Sequence, residues 1–162
     1  MSAPSGQSEG CVMADRSNHY ALPDNLDLGQ LQTTPEMTER YAALTDDYNP
    51  IHVDADFASK TAFGAPIIHG TMGLNLLVDA LETTFGESFP ELRIDVRFIR
   101  PVRVGSTIRA RGRLADSNDR RYEIFVETET GDRAVEGTCS LGPPAPTSAR
   151  DSAKGNNPED HS

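Results

Sequence analysis

Two histidines and one aspartate stand where acid–base chemistry is possible. Of the four histidines, His19 and His161 lie near the ends of the chain, which leaves His52 and His69 in its body. Asp47 precedes His52 by five residues across Asp47-Tyr48-Asn49-Pro50-Ile51-His52, and Ile67-Ile68-His69-Gly70-Thr71 follows. The Asn49-Pro50 pair stops a helix, because the residue before a proline is pushed out of the α conformation. Asp47 and His52 are therefore not locked onto one helical face, and the turn between them can aim both side chains at one point. A carboxylate and an imidazole that share a water form a working acid–base pair, since imidazole titrates near neutrality and a carboxylate stays ionised unless desolvated. Taken alone, Asp47 could equally cap a turn and His52 could be a satisfied loop histidine. Asn49 is expected to support the loop through side-chain bonds to the backbone, and His69 to pack beside the start of the next helix. Asp47, His52, Asp54, Asp56 and His69 could be mistaken for a metal cluster. The chain has no HExxH pattern, however, and Asp54-x-Asp56 lacks the glycine and distal glutamate of a calcium loop, so no metal is expected.

These residues need elements to hold them. Thr34-Pro35-Glu36 is a helix start, with a threonine cap, proline at the first position and an early acid, and Met37, Tyr41 and Leu44 carry that helix to about residue 45. A short strand is expected over 26–32 and a second short helix, capped by Asp54, over 55–61. Residues 71–85 are apolar around most of a helical circumference, with Asn75, Asp79 and Glu82 on one narrow stripe, so this helix should be enclosed. What encloses it is a sheet. Leu92, Ile94, Val96 and Phe98 alternate with polar residues, as do Ile108, Ala110, Gly112 and Leu114, then Tyr122, Ile124 and Val126, then Val135, Gly137, Cys139 and Leu141. Period-two alternation in four successive segments indicates an antiparallel sheet with one face buried. The fold class is α+β, a curved sheet wrapped around one long apolar helix. Arg109, Arg111 and Arg113 should face water and pair with Glu123 and Glu127 on the next strand.

Length and charge narrow the classes further. The chain has 162 residues and a net charge of −10, which fits one domain and disfavours binding to a nucleic-acid backbone. No run approaches the ~18 apolar residues of a membrane span, and the first residues lack a basic start followed by an apolar block. We expect a flexible leader over 1–20, one domain over 21–142 and a disordered tail over 143–162. The two cysteines, Cys11 and Cys139, do not form a disulfide framework, and a reducing cytoplasm is the natural location.

The run YAALTDDYNPIHVDADFASKTAFGAPIIHGTMGLNLL resembles the signature region of the MaoC-like dehydratases, in particular the (R)-specific enoyl-CoA hydratases, and FIRPVRVGSTI resembles a later strand and turn of that family. The resemblance covers roughly residues 26–142. It implies a hot-dog fold and a homodimer whose sheets join edge to edge. It also implies Asp47 and His52 as the catalytic pair, with the backbone N–H of Gly70 as the oxyanion donor. The reaction implied is reversible syn addition of water to a trans-2-enoyl thioester to give (3R)-3-hydroxyacyl-CoA, without a cofactor beyond the coenzyme A that carries the substrate. Which of Asp47 and His52 is base and which acid stays open. Leu74, Leu77 and Val78 are the candidate acyl-pocket residues, although the same positions are needed as core. The acidic surface offers no dock for an acidic acyl carrier protein, which favours coenzyme A. An acyl-CoA thioesterase and a non-catalytic hot-dog partner subunit are the alternatives, because one scaffold can host several functions.

Overall fold

The computed structural model describes residues 22–144. The expected leader, and the tail from residue 145 onward, lie outside the described residues, and so do Cys11, His19 and His161.

The elements run β1 (Asn25–Gln32), α1 (Pro35–Thr45), α2 (Pro50–Val53), α3 (Ala55–Ser59), α4 (Gly70–Phe85), β2 (Leu92–Phe98), β3 (Thr107–Asp116), β4 (Arg121–Thr128) and β5 (Arg133–Leu141). The five strands form one sheet in the order β1-β3-β4-β5-β2, with every neighbouring pair antiparallel. β1 and β2 are its edges. Gly105 and Gly131 sit in turns at positive φ, 98° and 83°.

The alternation in β3, β4 and β5 sends Ile108, Ala110, Tyr122, Ile124, Val126, Val135 and Cys139 to one face, where they meet α4. From α4 come Met72, Gly73, Leu77, Leu81 and Phe85, all buried. A leucine such as Leu77, fully removed from water, contributes about 1.5–3 kcal/mol, so this layer anchors the helix firmly on the sheet. Asn75, Asp79 and Glu82 are exposed, as their stripe predicted, while Leu74, Leu76, Val78 and Ala80 are half-buried. Within this chain the sheet covers the helix from one side. No helix among the described residues is long and apolar enough to cross a membrane.

Two local expectations need correction. Asn49-Pro50 does not end the first helix. That helix stops at Thr45, with Asp46 in the left-handed region (φ 55°) and its N–H on Ala42 O. Asn49-Pro50 instead opens the one-turn helix α2, with Asn49 as cap and Pro50 at the first position, because proline starts a helix as readily as it ends one. On the outer face of the sheet Arg111 does reach Glu127 (3.0 Å), but Glu123 is taken by Arg133 (2.7 Å) and not by the 109/111/113 stripe. Arg133 also lies 4.0 Å above the Phe125 ring, which buries an aromatic on the side of the sheet away from α4.

Candidate active site

Local hydrogen bonds shape the loop that carries Asp47 and His52. The Asn49 N–H donates to Asp47 Oδ1 (3.2 Å), and Asn49 Oδ1 accepts from the Ile51 N–H (3.2 Å) as the cap of α2. One turn later comes His52, whose Nδ1 lies 2.7 Å from the carbonyl oxygen of Ile67. A carbonyl only accepts, so Nδ1 carries a proton, and in the neutral ring Nε2 holds the lone pair. That lone-pair nitrogen stands 4.0 Å from Asp47 Oδ2. The distance is too long for a direct hydrogen bond. It is close to the span of two groups that each bind one water at ~2.8 Å and roughly a right angle.

His69 supplies a third contact. Its Nε2 donates to the backbone carbonyl of Asp47 (2.9 Å) and lies 3.8 Å from Asp47 Oδ2. Its ring stacks on that of His52, with centroids 3.9 Å apart and planes inclined by 27°. The Tyr41 ring flanks it at 5.1 Å. The Tyr41 hydroxyl donates to Thr71 Oγ1 (2.9 Å) and accepts from Asn75 Nδ2 (3.0 Å), which ties α1 to α4 beside the site. Burial is graded across the group. The side chain of His69 is 3% exposed, that of His52 10% and that of Asp47 52%. Nδ1 of His69 is buried without a partner.

His69 is the residue before α4 and gives that helix no side-chain cap. Among the described residues the Gly70 N–H has no acceptor, and it sits at the positive end of a 16-residue helix. Gly70 and His52 border an apolar cavity of about 280 Å³, which is also lined by Gly73, Ile108, Val126 and Val135. Phe98 and Ile99, both exposed, stand on its other side with Pro101 and Val102. The expected pocket residues Leu74, Leu77 and Val78 do not line this cavity. Leu77 is wholly buried in the core, and the cavity opens where α4 presents glycines instead of leucines.

Asp47, His52 and His69 place one donor atom each within 4.8 Å of one another. A metal would need both imidazole lone pairs to converge on it. Nε2 of His69 donates to the Asp47 carbonyl and its Nδ1 is buried, so only His52 offers a lone pair beside the Asp47 carboxylate. This set fits a metal poorly.

Sequence reasoning named Asp47, Asn49, His52 and Gly70, and the fold brings these four together. It missed the bond from His69 to Asp47, the part of Tyr41 and Thr71, and the walls of the cavity. Gly73, alone among leucines near the helix start, was the available signal for the last.

The MaoC like domain model matches residues 23–136, most of the chain and the whole of the region just described. The chain belongs to the MaoC-like family. Two curated relatives of this MaoC-like protein frame the similarity. The peroxisomal hydratase-dehydrogenase-epimerase of Neurospora crassa is 32% identical over 111 residues, which is 68% of this chain but only 12% of that much longer protein. The 3-hydroxyacyl-thioester dehydratase Z of Mycobacterium tuberculosis is 36% identical over 111 residues, 65% of this chain and 74% of the relative. Among solved structures, the (R)-hydratase from A. caviae involved in PHA biosynthesis superposes with a TM-score of 0.63 at 25% identity, over 77% of this chain and 99% of that one. The five-stranded sheet with its long packed helix is the hot-dog fold of this MaoC-like group.

Proposed function

We propose that this MaoC-like protein is a hydro-lyase that adds water reversibly to a trans-2-enoyl-CoA to give (3R)-3-hydroxyacyl-CoA. One observation carries the reading. A carboxylate oxygen and an imidazole lone pair stand 4.0 Å apart at the mouth of an apolar cavity, beside an unpaired helix-start N–H. The substrate's alkyl chain enters the cavity, the thioester carbonyl meets the Gly70 N–H, and a water sits between Asp47 and His52. The Nδ1–H tautomer of His52 makes Nε2 the base. As the water oxygen bonds to C3, one of its protons passes to Nε2 and the C2–C3 π electrons move toward the thioester oxygen. C2 then takes the proton back from Nε2 on the same face, so addition is syn and the enzyme returns to its starting state. Asp47 accepts the second water hydrogen bond and orients the attack. The Gly70 N–H holds the enolate oxygen, a contribution of about 2.7–4 kcal/mol for one such donor. No cofactor takes part in this scheme.

Coenzyme A is preferred as carrier because the chain's net charge of −10 repels an acidic carrier protein. A homodimer formed through the free edge of β2 is part of the same reading. An unpaired edge strand ending in exposed Phe98 (54%) and Ile99 (42%) invites a second copy. A reducing cytoplasm suits the buried free thiol of Cys139. The test follows the enoyl-thioester absorbance with purified Asp47→Asn and His52→Ala. Each should lose about 10²–10⁴ in rate with an unchanged circular dichroism spectrum. Undiminished turnover in either variant would refute the assignment, and thiol release without hydration would point to a thioesterase.

A further inference from the structure

Gly73 is buried inside α4, where glycine costs about 0.5–1 kcal/mol relative to alanine. A glycine on the packed face of a helix commonly lets a neighbour approach where no Cβ could fit. Other glycines here crowd a neighbour in that way. A Cβ on Gly137 would collide with the Asp95 carbonyl of β2, and one on Gly70 would press on the Phe98 ring at 3.1 Å. Gly73 is different. A Cβ there would lie 3.6 Å from Val126 Cγ1, 3.8 Å from Val135 Cγ2 and 3.9 Å from Ile108 Cδ1, all ordinary van der Waals distances. Alanine would fit, would favour the helix and would add packing. What it would remove is space, because all four residues line the cavity described above.

We infer that Gly73 keeps the inner end of this cavity open for the acyl chain, and that the side-chain size at position 73 sets the longest chain accepted. The inference rests on the hydratase reading for the identity of the ligand. Gly70 is exposed and Gly73 buried, so the cavity runs from its polar mouth at His52 and Gly70 inward to Gly73, Ile108, Val126 and Val135. That inner end bears only aliphatic groups and suits an alkyl chain. If each non-hydrogen atom takes about the ~30 Å³ of a liquid water, a cavity of about 280 Å³ holds roughly nine. The thioester carbon, oxygen and sulfur and the reacting water use about four of these, which leaves room for about five chain carbons beyond the carbonyl. Short enoyl chains, up to about hexenoyl, are the substrate class.

The experiment measures kcat/KM for crotonyl-CoA, trans-2-hexenoyl-CoA and trans-2-octenoyl-CoA in the full-length protein, Gly73→Ala and Gly73→Val. The readout is the hexenoyl-to-crotonyl ratio, which does not depend on how much of a preparation is folded. The ratio should fall about tenfold in Gly73→Ala and further in Gly73→Val, within the range that one methylene commands in an apolar pocket. Calorimetric binding of butyryl-, hexanoyl- and octanoyl-CoA to the same three proteins reads the cavity without any chemistry. If the native chain turns over enoyl-CoA but the ratio is unchanged in both variants, the inference is overturned while the hydratase reading stands. If the native chain hydrates none of the three, yet chain-length selectivity in binding shifts on substitution, the cavity assignment stands and the hydratase reading fails. An absence of any length dependence in both measurements overturns the two together.

Discussion

The imidazoles of His52 and His69 lie face to face at 3.9 Å, yet their nitrogens have opposite duties. His52 spends Nδ1 on the Ile67 carbonyl and keeps Nε2 for chemistry, whereas His69 spends Nε2 on the Asp47 carbonyl and buries Nδ1. On the proposed mechanism one ring works and the other braces it.

His69→Phe tests that division. Phenylalanine keeps the stacking partner and most of the volume but loses the donor to Asp47. We expect kcat to fall about tenfold, the scale of one neutral hydrogen bond, with the melting temperature little changed. His69→Gln, which restores a donor, should recover part of the loss. A Phe variant with native kcat would reduce His69 to a packing residue.

Gly70→Ala addresses the mouth of the cavity. The atoms nearest the added methyl, at 3.1 Å, belong to the ring of Phe98, a side chain that can yield by a few tenths of an ångström. The fold should therefore persist, while the thioester is held away from the N–H. A displacement of about 1 Å is enough to lower turnover roughly 100-fold. Unchanged kcat/KM at unchanged stability would remove Gly70 from the site.

Alkali should unfold the protein through two buried groups. Burial pushes the Cys139 thiol from its ordinary 9.0 up to about 11. Burial first, then the charges of Asp24 and Cys139, pushes the Tyr122 phenol from 10.0 up to about 12. In both cases the folded state prefers the proton, so the stabilisation is complete below the unfolded values and is lost as pH rises through the folded ones. The melting temperature should hold up to pH 9 and decline between pH 9 and 12. Cys139→Ala should flatten the first part of that decline, measured by thermal melts across the range. A native melting temperature unchanged up to pH 12 would contradict the assignment.

The sheet was legible because burial on one face leaves a trace at every second residue. Tyr122, Ile124 and Val126 announce β4 without any other information. The start of α1 was equally plain, since Thr34 and Pro35 act locally. α2 escaped because a single turn is shorter than the period that would reveal it, and Asn49-Pro50 reads both as a stop and as a start. Within the candidate site, Asp47, Asn49 and His52 share one short loop and could be found by spacing. The bond from His69 to the Asp47 carbonyl could not be, because it joins a side chain to a backbone atom 22 residues away. The walls of the cavity beside Gly70, which do not include Leu74, Leu77 or Val78, were hidden for a related reason. A void depends on the gap between two layers, and apolar side chains near a helix start mark filled space more often than empty space.

His69 and Gly70 are consecutive, so the side chain that braces Asp47 and the proposed oxyanion donor sit on neighbouring residues. On the proposed mechanism a shift of the start of α4 would carry the loop of Asp47 with it through the His69 bond. The width of the passage for an alkyl chain would then vary with the sheet, while the angle of attack on C3 would follow the helix.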